Sequence, residues 1–78
     1  MSQRALIVLP SIHDVMAAEK LLDAVGLPYD LIPTPTSISS DCGMVIECEQ
    51  RYLNKIKAEL EAAACPIDKI VLLEVADG

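Results

Sequence analysis

The chain has almost no aromatic residues: two Tyr, and neither Phe nor Trp, among 78 residues. Single-stranded nucleic acid is commonly bound by stacking bases on aromatic side chains, so this scarcity argues against that class of protein. Positive charge is scarce too, with 6 Lys and Arg against 12 Asp and Glu, and a formal net charge of −6. Because clustered Lys and Arg supply most of the affinity for phosphates, we expect no nucleic-acid partner.

Long hydrophobic runs and paired cysteine motifs are also missing. The apolar runs 5–9 and 70–73 are far shorter than the ~20 residues of a membrane helix, and the N-terminus lacks the pattern of a signal peptide. We therefore expect a cytoplasmic protein with no membrane partner. In that compartment the 3 cysteines should be reduced. Their odd number and the lack of a C-x-x-C pair argue against a structural disulfide or a zinc site.

What the chain does have is aliphatic periodicity. Short β-rich runs predict strands at residues 4–9, 29–32, 43–49 and 67–75. Apolar residues at helical spacing predict one helix that Ser11 caps and Gly26 stops, with Asp14 at the reciprocal position of a capping box, and a second helix over residues 50–64. This βαββαβ order predicts a single ferredoxin-like domain over residues 1–78. It is an α/β (α+β) sandwich with an antiparallel sheet and two helices on one face.

The predicted topology makes the first and third strands antiparallel neighbours. The turn at 10–13 should then lie at the same end of the sheet as Cys42 and Gly43, and we expect Cys65 at the opposite end. The first and last strands are apolar on both faces, which predicts that the helix-free face is covered, most simply in a homodimer. Alternatively, a short central strand tolerates a few uncovered aliphatic side chains.

The segment 34–43 predicts an ordered polar loop that carries Cys42 next to a strand. The start of the first helix and His13 would both favour the reactive thiolate of Cys42. Ser39 and Ser40 could donate hydrogen bonds to a sulfur anion, and Gly43 would let a bulky group approach. Asp41 acts against the thiolate by repulsion unless its side chain caps the loop.

Each of these residues also has a simpler interpretation. Cys42 could be a small buried residue at the start of a strand, and His13 a solvated residue of a first helical turn. Ser11 is expected to act as a cap rather than as a ligand donor. Cys48 shares a strand face with Met44 and Ile46, which indicates packing in the core.

A thiolate in a donor-rich loop can hold a persulfide or a perselenide, or act as a redox-sensing thiol. A hydrolase would need a cleft and an oxyanion hole, for which so short a chain has little material. We therefore expect a non-enzymatic carrier rather than an enzyme, and no cofactor. A ferredoxin-like module that binds a small regulatory ligand is the alternative from another class.

Four blocks of residues link the chain to a known family. They are Ser11-x-His13, Ala18-Glu19-Lys20-Leu21-Leu22, Ile32-Pro33-Thr34-Pro35 and Ile38-Ser39-Ser40-x-Cys42-Gly43. In these blocks the chain resembles the selenium/sulfur carrier-like proteins. The resemblance implies that activated sulfur or selenium is attached at Cys42 and passed between donor and acceptor proteins.

The candidate site therefore consists of one carrier thiol and its neighbours. The residues are Cys42 as the carrier, His13 as its thiolate partner, and Ser11, Thr34, Ser39, Ser40 and Gly43 as binding residues. One position departs from the family, because members commonly have Arg after the Thr-Pro pair, where this chain has Thr36. That departure leaves the choice between sulfur and selenium open.

Overall fold

The computed structural model describes residues 2–35, 37–38 and 43–75. Their elements follow in the predicted order: β1 (Ser2–Val8), α1 (Ile12–Val25), β2 (Asp30–Pro33), β3 (Met44–Glu49), α2 (Gln50–Ala62) and β4 (Lys69–Val75). The strands form one antiparallel sheet in the order β2-β3-β1-β4. This arrangement confirms the ferredoxin-like α+β fold.

Both ends of α1 are determined by the residues expected from the sequence. The Ser11 hydroxyl accepts a hydrogen bond from the backbone N–H of Asp14 at 3.3 Å and donates to Asp14 Oδ2 at 2.9 Å. Gly26 ends the helix in the left-handed region, with φ of 76°, where a glycine pays no steric penalty. The capped start fixes the position of the first helical turn.

The helices cover one face of the sheet and bury the larger core. Its fully buried members are Ala5, Ile7, Leu9, Val15, Ala18, Leu22, Ile46, Cys48, Ile56 and Leu60. Alternate residues of β1 and β3 point into this core, as the period of a strand requires. The placement of Cys48 among them confirms its interpretation as a packing residue.

The helix-free face buries a second, smaller cluster. Leu6, Val8 and Val45 are at most 1% exposed, and partly buried side chains pack against them. One of these is Ile38, which belongs to the loop between β2 and β3 and not to the sheet. The chain's own loop thus supplies part of the expected cover. Burial of these three side chains does not require a second copy, and the homodimer stays a prediction.

The strand register brings distant parts of the sequence to one end of the sheet, which we call the loop end. β1 pairs with β3 from Arg4 opposite Glu49 to Ile7 opposite Ile46. The end of β1, which leads into α1, therefore lies beside the start of β3, which follows Gly43. The prediction that the turn at 10–13 shares an end with Gly43 is confirmed, whereas Cys42 lies outside the described residues.

The expected position of Cys65 was wrong. Its thiol lies 3.6 Å from the backbone oxygen of Asp14, in the first turn of α1, so Cys65 is at the loop end. The physical reason is the direction of the chain. β3 runs away from the loop end and α2 returns to it, where the Asp68 N–H donates to Val8 O at 2.8 Å and β4 begins.

Candidate functional site

The predicted site residues divide into two groups. Cys42, Ser39 and Ser40 lie outside the described residues, as do Thr36 and Asp41. Four others are described, and all of them belong to the loop end or to the segments that lead into it. They are Ser11, His13, Thr34 and Gly43.

Ser11 and His13 occupy the start of α1. The hydroxyl of Ser11 both donates to and accepts from Asp14, so it serves the helix, in line with its interpretation as a cap. His13 is exposed in the first turn. The unpaired N–H groups of a first turn carry partial positive charge, and this end of the helix therefore favours a nearby anion.

Thr34 and Gly43 close the base of the loop. The Thr34 N–H donates to Gly43 O at 3.1 Å. Gly43 is exposed, and a Cβ added to it would meet no atom within 4 Å. Gly43 itself therefore leaves room for an approaching group, and its role as a binding residue stays a prediction.

The hydroxyl of Thr34 is buried, and no described residue serves as its hydrogen-bond partner. A buried polar group without a partner typically costs about 1–3 kcal/mol in desolvation. The register places Pro33 opposite Met44, so Thr34 follows directly after the last ladder pair of β2. The unpaired hydroxyl thus lies where the strand gives way to the loop.

Ile38 and Lys69 hold the loop against the sheet. The sequence analysis predicted neither role. Ile38 packs on the buried cluster of Leu6, Val8 and Val45. Its backbone N–H donates to Pro35 O at 2.9 Å, and its carbonyl accepts a hydrogen bond of 2.7 Å from Lys69 Nζ. An isoleucine within a polar loop was the available signal, because an apolar side chain there needs a surface to cover.

The surroundings of the two described cysteines, Cys48 and Cys65, disfavour the thiolate form. Burial raises the pKa of the Cys48 thiol; the nearby Arg4 cation opposes this shift, and the carboxylates of Glu47 and Glu49 add to it. Burial also raises the pKa of the Cys65 thiol, with a further contribution from Asp14. Because the thiolate is the reactive form, both residues should react slowly near neutral pH.

The opposite end of the sheet has a different character. Arg4 Nη2 lies 3.1 Å from Glu47 Oε1 and 3.0 Å from Asp30 Oδ2. The hydrogen bond to Glu47 raises the pKa of Arg4 above its ordinary value. A cavity of about 140 Å³ is found here, lined by Arg4, Pro28, Tyr29, Asp30, Cys48 and Glu49. Sites for small molecules usually enclose about 300–1,000 Å³, so this cavity does little to support a ligand-binding module.

Two further classes of site find no support within the described ranges. No group of three or more His, Cys, Asp or Glu among the described residues is arranged to hold a metal ion. Neither α1 nor α2 is long and apolar enough to cross a membrane.

Residues 4–72 match the family described as "Putative Se/S carrier protein-like". The match covers most of the chain and includes the whole loop from β2 to β3. The chain belongs to this family. No curated protein and no solved structure matches it. The resemblance seen in the sequence blocks is thereby confirmed.

Proposed function

We propose that this protein carries activated sulfur or selenium on Cys42 and passes it between protein partners, without catalysing a reaction on a small-molecule substrate. The observation that carries the proposal is the family match over residues 4–72, which includes Cys42. A carrier has to exchange its cargo, so the family description implies at least one donor protein and one acceptor protein.

The proposed transfer is a balanced exchange of thiols. The Cys42 thiolate attacks the terminal sulfur of a persulfide on the donor. A bond forms between Cys42 Sγ and that sulfur, the donor's own S–S bond breaks, and the donor leaves as a thiolate. Transfer to the acceptor repeats the same step with Cys42 as the leaving thiolate, and selenium follows the same scheme. No external oxidant or reductant is needed.

The position of Gly43 beside the start of α1 supports Cys42 as the carrier. Gly43, which comes directly after Cys42 in the sequence, lies at the end of the sheet where α1 begins. The start of a helix favours a nearby anion. His13 is exposed in that first turn, and we assign it the role of thiolate partner. Cys48 and Cys65 have raised pKa values, which disfavours them as carriers.

The test is loading with a chemical sulfur donor. Reduced protein is treated with inorganic polysulfide, desalted and analysed by mass spectrometry of its peptides. We expect a mass increase of about 32 Da on the Cys42 peptide, or about 80 Da after loading with selenium. The Cys42→Ser variant should take up none, whereas Cys65→Ser should load like the wild type.

A second step separates a carrier from a redox sensor. A sulfinic acid also adds about 32 Da, but dithiothreitol removes a persulfide and does not reduce a sulfinic acid. Loaded protein should in addition pass its sulfur to an acceptor thiol and return to the unmodified mass. Oxygen adducts that resist dithiothreitol, or loading on Cys65 in place of Cys42, would contradict the carrier proposal.

A further inference from the structure

The loop that carries Cys42 is attached to the sheet by contacts on both sides of the undescribed residues. On one side, Ile38 packs on the cluster of Leu6, Val8 and Val45. On the other, Gly43 O accepts the hydrogen bond from Thr34 N–H at 3.1 Å. A chain segment that lies over a sheet keeps one position only where the free energy of its apolar contacts and hydrogen bonds exceeds the conformational entropy cost of ordering it.

Lys69 makes the contact that joins this loop to the far edge of the sheet. Lys69 is paired with Val8 across β1 and β4, so its side chain projects from the same face as Val8. Its ammonium donates to Ile38 O at 2.7 Å. The neighbouring hydrogen bond from Asp68 N–H to Val8 O, at 2.8 Å, fixes the backbone from which Lys69 extends.

We propose that Lys69 and Ile38 are positioning residues for Cys42: together they fix Ile38, four residues before Cys42 in the sequence, against the helix-free face, and this anchor favours the reactive form of the thiol. This inference rests on the proposed function. It explains why residue 38 is apolar within a polar loop. It also gives Lys69 a structural role, the hydrogen bond to Ile38 O, in addition to its charge. Neither residue is assigned a contact with the cargo.

The test compares the pH dependence of Cys42 alkylation in four variants and one further packing control. Ile38→Ala removes the packing and leaves every charge in place, whereas Lys69→Met removes the hydrogen bond together with a charge. Lys69→Arg keeps a cationic donor. Lys55→Met, on the exposed surface of α2, removes the same charge elsewhere and serves as the matched control.

We expect Ile38→Ala and Lys69→Met to move the apparent pKa of Cys42 toward that of a free cysteine. Alkylation at pH 7 should then slow by about threefold or more, and the rate well above the thiol pKa should be unchanged. Lys69→Arg should restore most of the wild-type profile, and Lys55→Met should match the wild type. Val71→Ala, which trims the same apolar cluster from β4, controls for a general loss of packing.

Hydrogen exchange gives a second readout that does not depend on the thiol. The Ile38 N–H is bonded to Pro35 O, and its exchange should speed up in Lys69→Met but not in Lys55→Met. Faster exchange with an unchanged Cys42 profile would overturn the positioning role, as would a faster-reacting thiol in either variant. A wild-type Cys42 that takes up no sulfur would instead refute the proposed function, so the two failures are distinguishable.

Discussion

Two helices cover one face of the sheet. The helix-free face carries the loop residue Ile38 at one end and, at the other, an ion cluster of Arg4, Asp30 and Glu47. Among the described residues, the first face buries ten in one continuous core. Within the same ranges the second face buries three, and the loop residue Ile38 covers part of them at one end. At the other end Arg4 bridges Asp30 and Glu47. Stability therefore rests mainly on the first face, and the second face can hold a functional loop.

The largest effect should follow from damage to the helix-covered face. Ile56→Ala removes a fully buried side chain of α2, and we expect the free energy of unfolding to fall by about 2–5 kcal/mol. Urea denaturation measures this change. If Ile56→Ala does not fold, Ile56→Val should still lower the free energy by about 0.5–1.5 kcal/mol. Cys42 loading in the folded variant should be unchanged, because the loop contacts lie on the other face.

Alkaline pH should weaken the same face through Cys48. The pKa of this buried thiol is raised in the folded protein, so its contribution to stability is complete below the unfolded pKa of about 8.5 and is lost as the pH rises through the folded pKa. The difference in unfolding free energy between wild type and Cys48→Ala should therefore shrink from pH 8 to pH 10. A difference that stays constant over this range would contradict the assignment.

The ion cluster on the helix-free face should matter less. Arg4→Met leaves Glu47 and Asp30 without their shared cation, and Asp30 is largely exposed. Because solvent screens such pairs, we expect a loss of about 1 kcal/mol or less, which decreases further in high salt. Thermal unfolding at two salt concentrations measures it. A loss as large as that of Ile56→Ala would mean that the two faces contribute equally to stability.

Thr34→Val should have the smallest effect on stability. Whether it raises or lowers the free energy of unfolding shows whether the Thr34 hydroxyl has a hydrogen-bond partner. The buried Thr34 hydroxyl has no partner in the part of the chain that the structure describes, so its replacement by a methyl group should leave the free energy of unfolding unchanged or raise it by up to about 1 kcal/mol. Chemical denaturation of the reduced, unloaded protein provides the measurement, with Thr34→Ser as the matched variant. A clear loss of stability in Thr34→Val would show that the hydroxyl does find a partner.

The fold could be predicted from the sequence because the patterns that indicate each helix and strand lie within that helix or strand. The cap at Ser11, the stop at Gly26 and the alternation along β3 each report on their own segment, and together they allow few topologies. The site was harder to predict. Lys69 donates to a backbone carbonyl. Because every residue has such a carbonyl, no combination of residue types in the sequence predicts this contact. Cys65 was misplaced because its position depends on the direction in which α2 returns.

The most direct test of the account is a competition among the three cysteines in one native sample. A limiting amount of iodoacetamide is added at pH 7, and the modified fraction of each cysteine is read by peptide mass spectrometry. We expect Cys42 to react first and Cys65 to follow, whereas Cys48 should be nearly unreactive until the protein is unfolded in denaturant, where the rates of the three thiols converge. If Cys42 reacts no faster than Cys48 in the native protein, it is a packing residue and the carrier proposal loses its chemical basis.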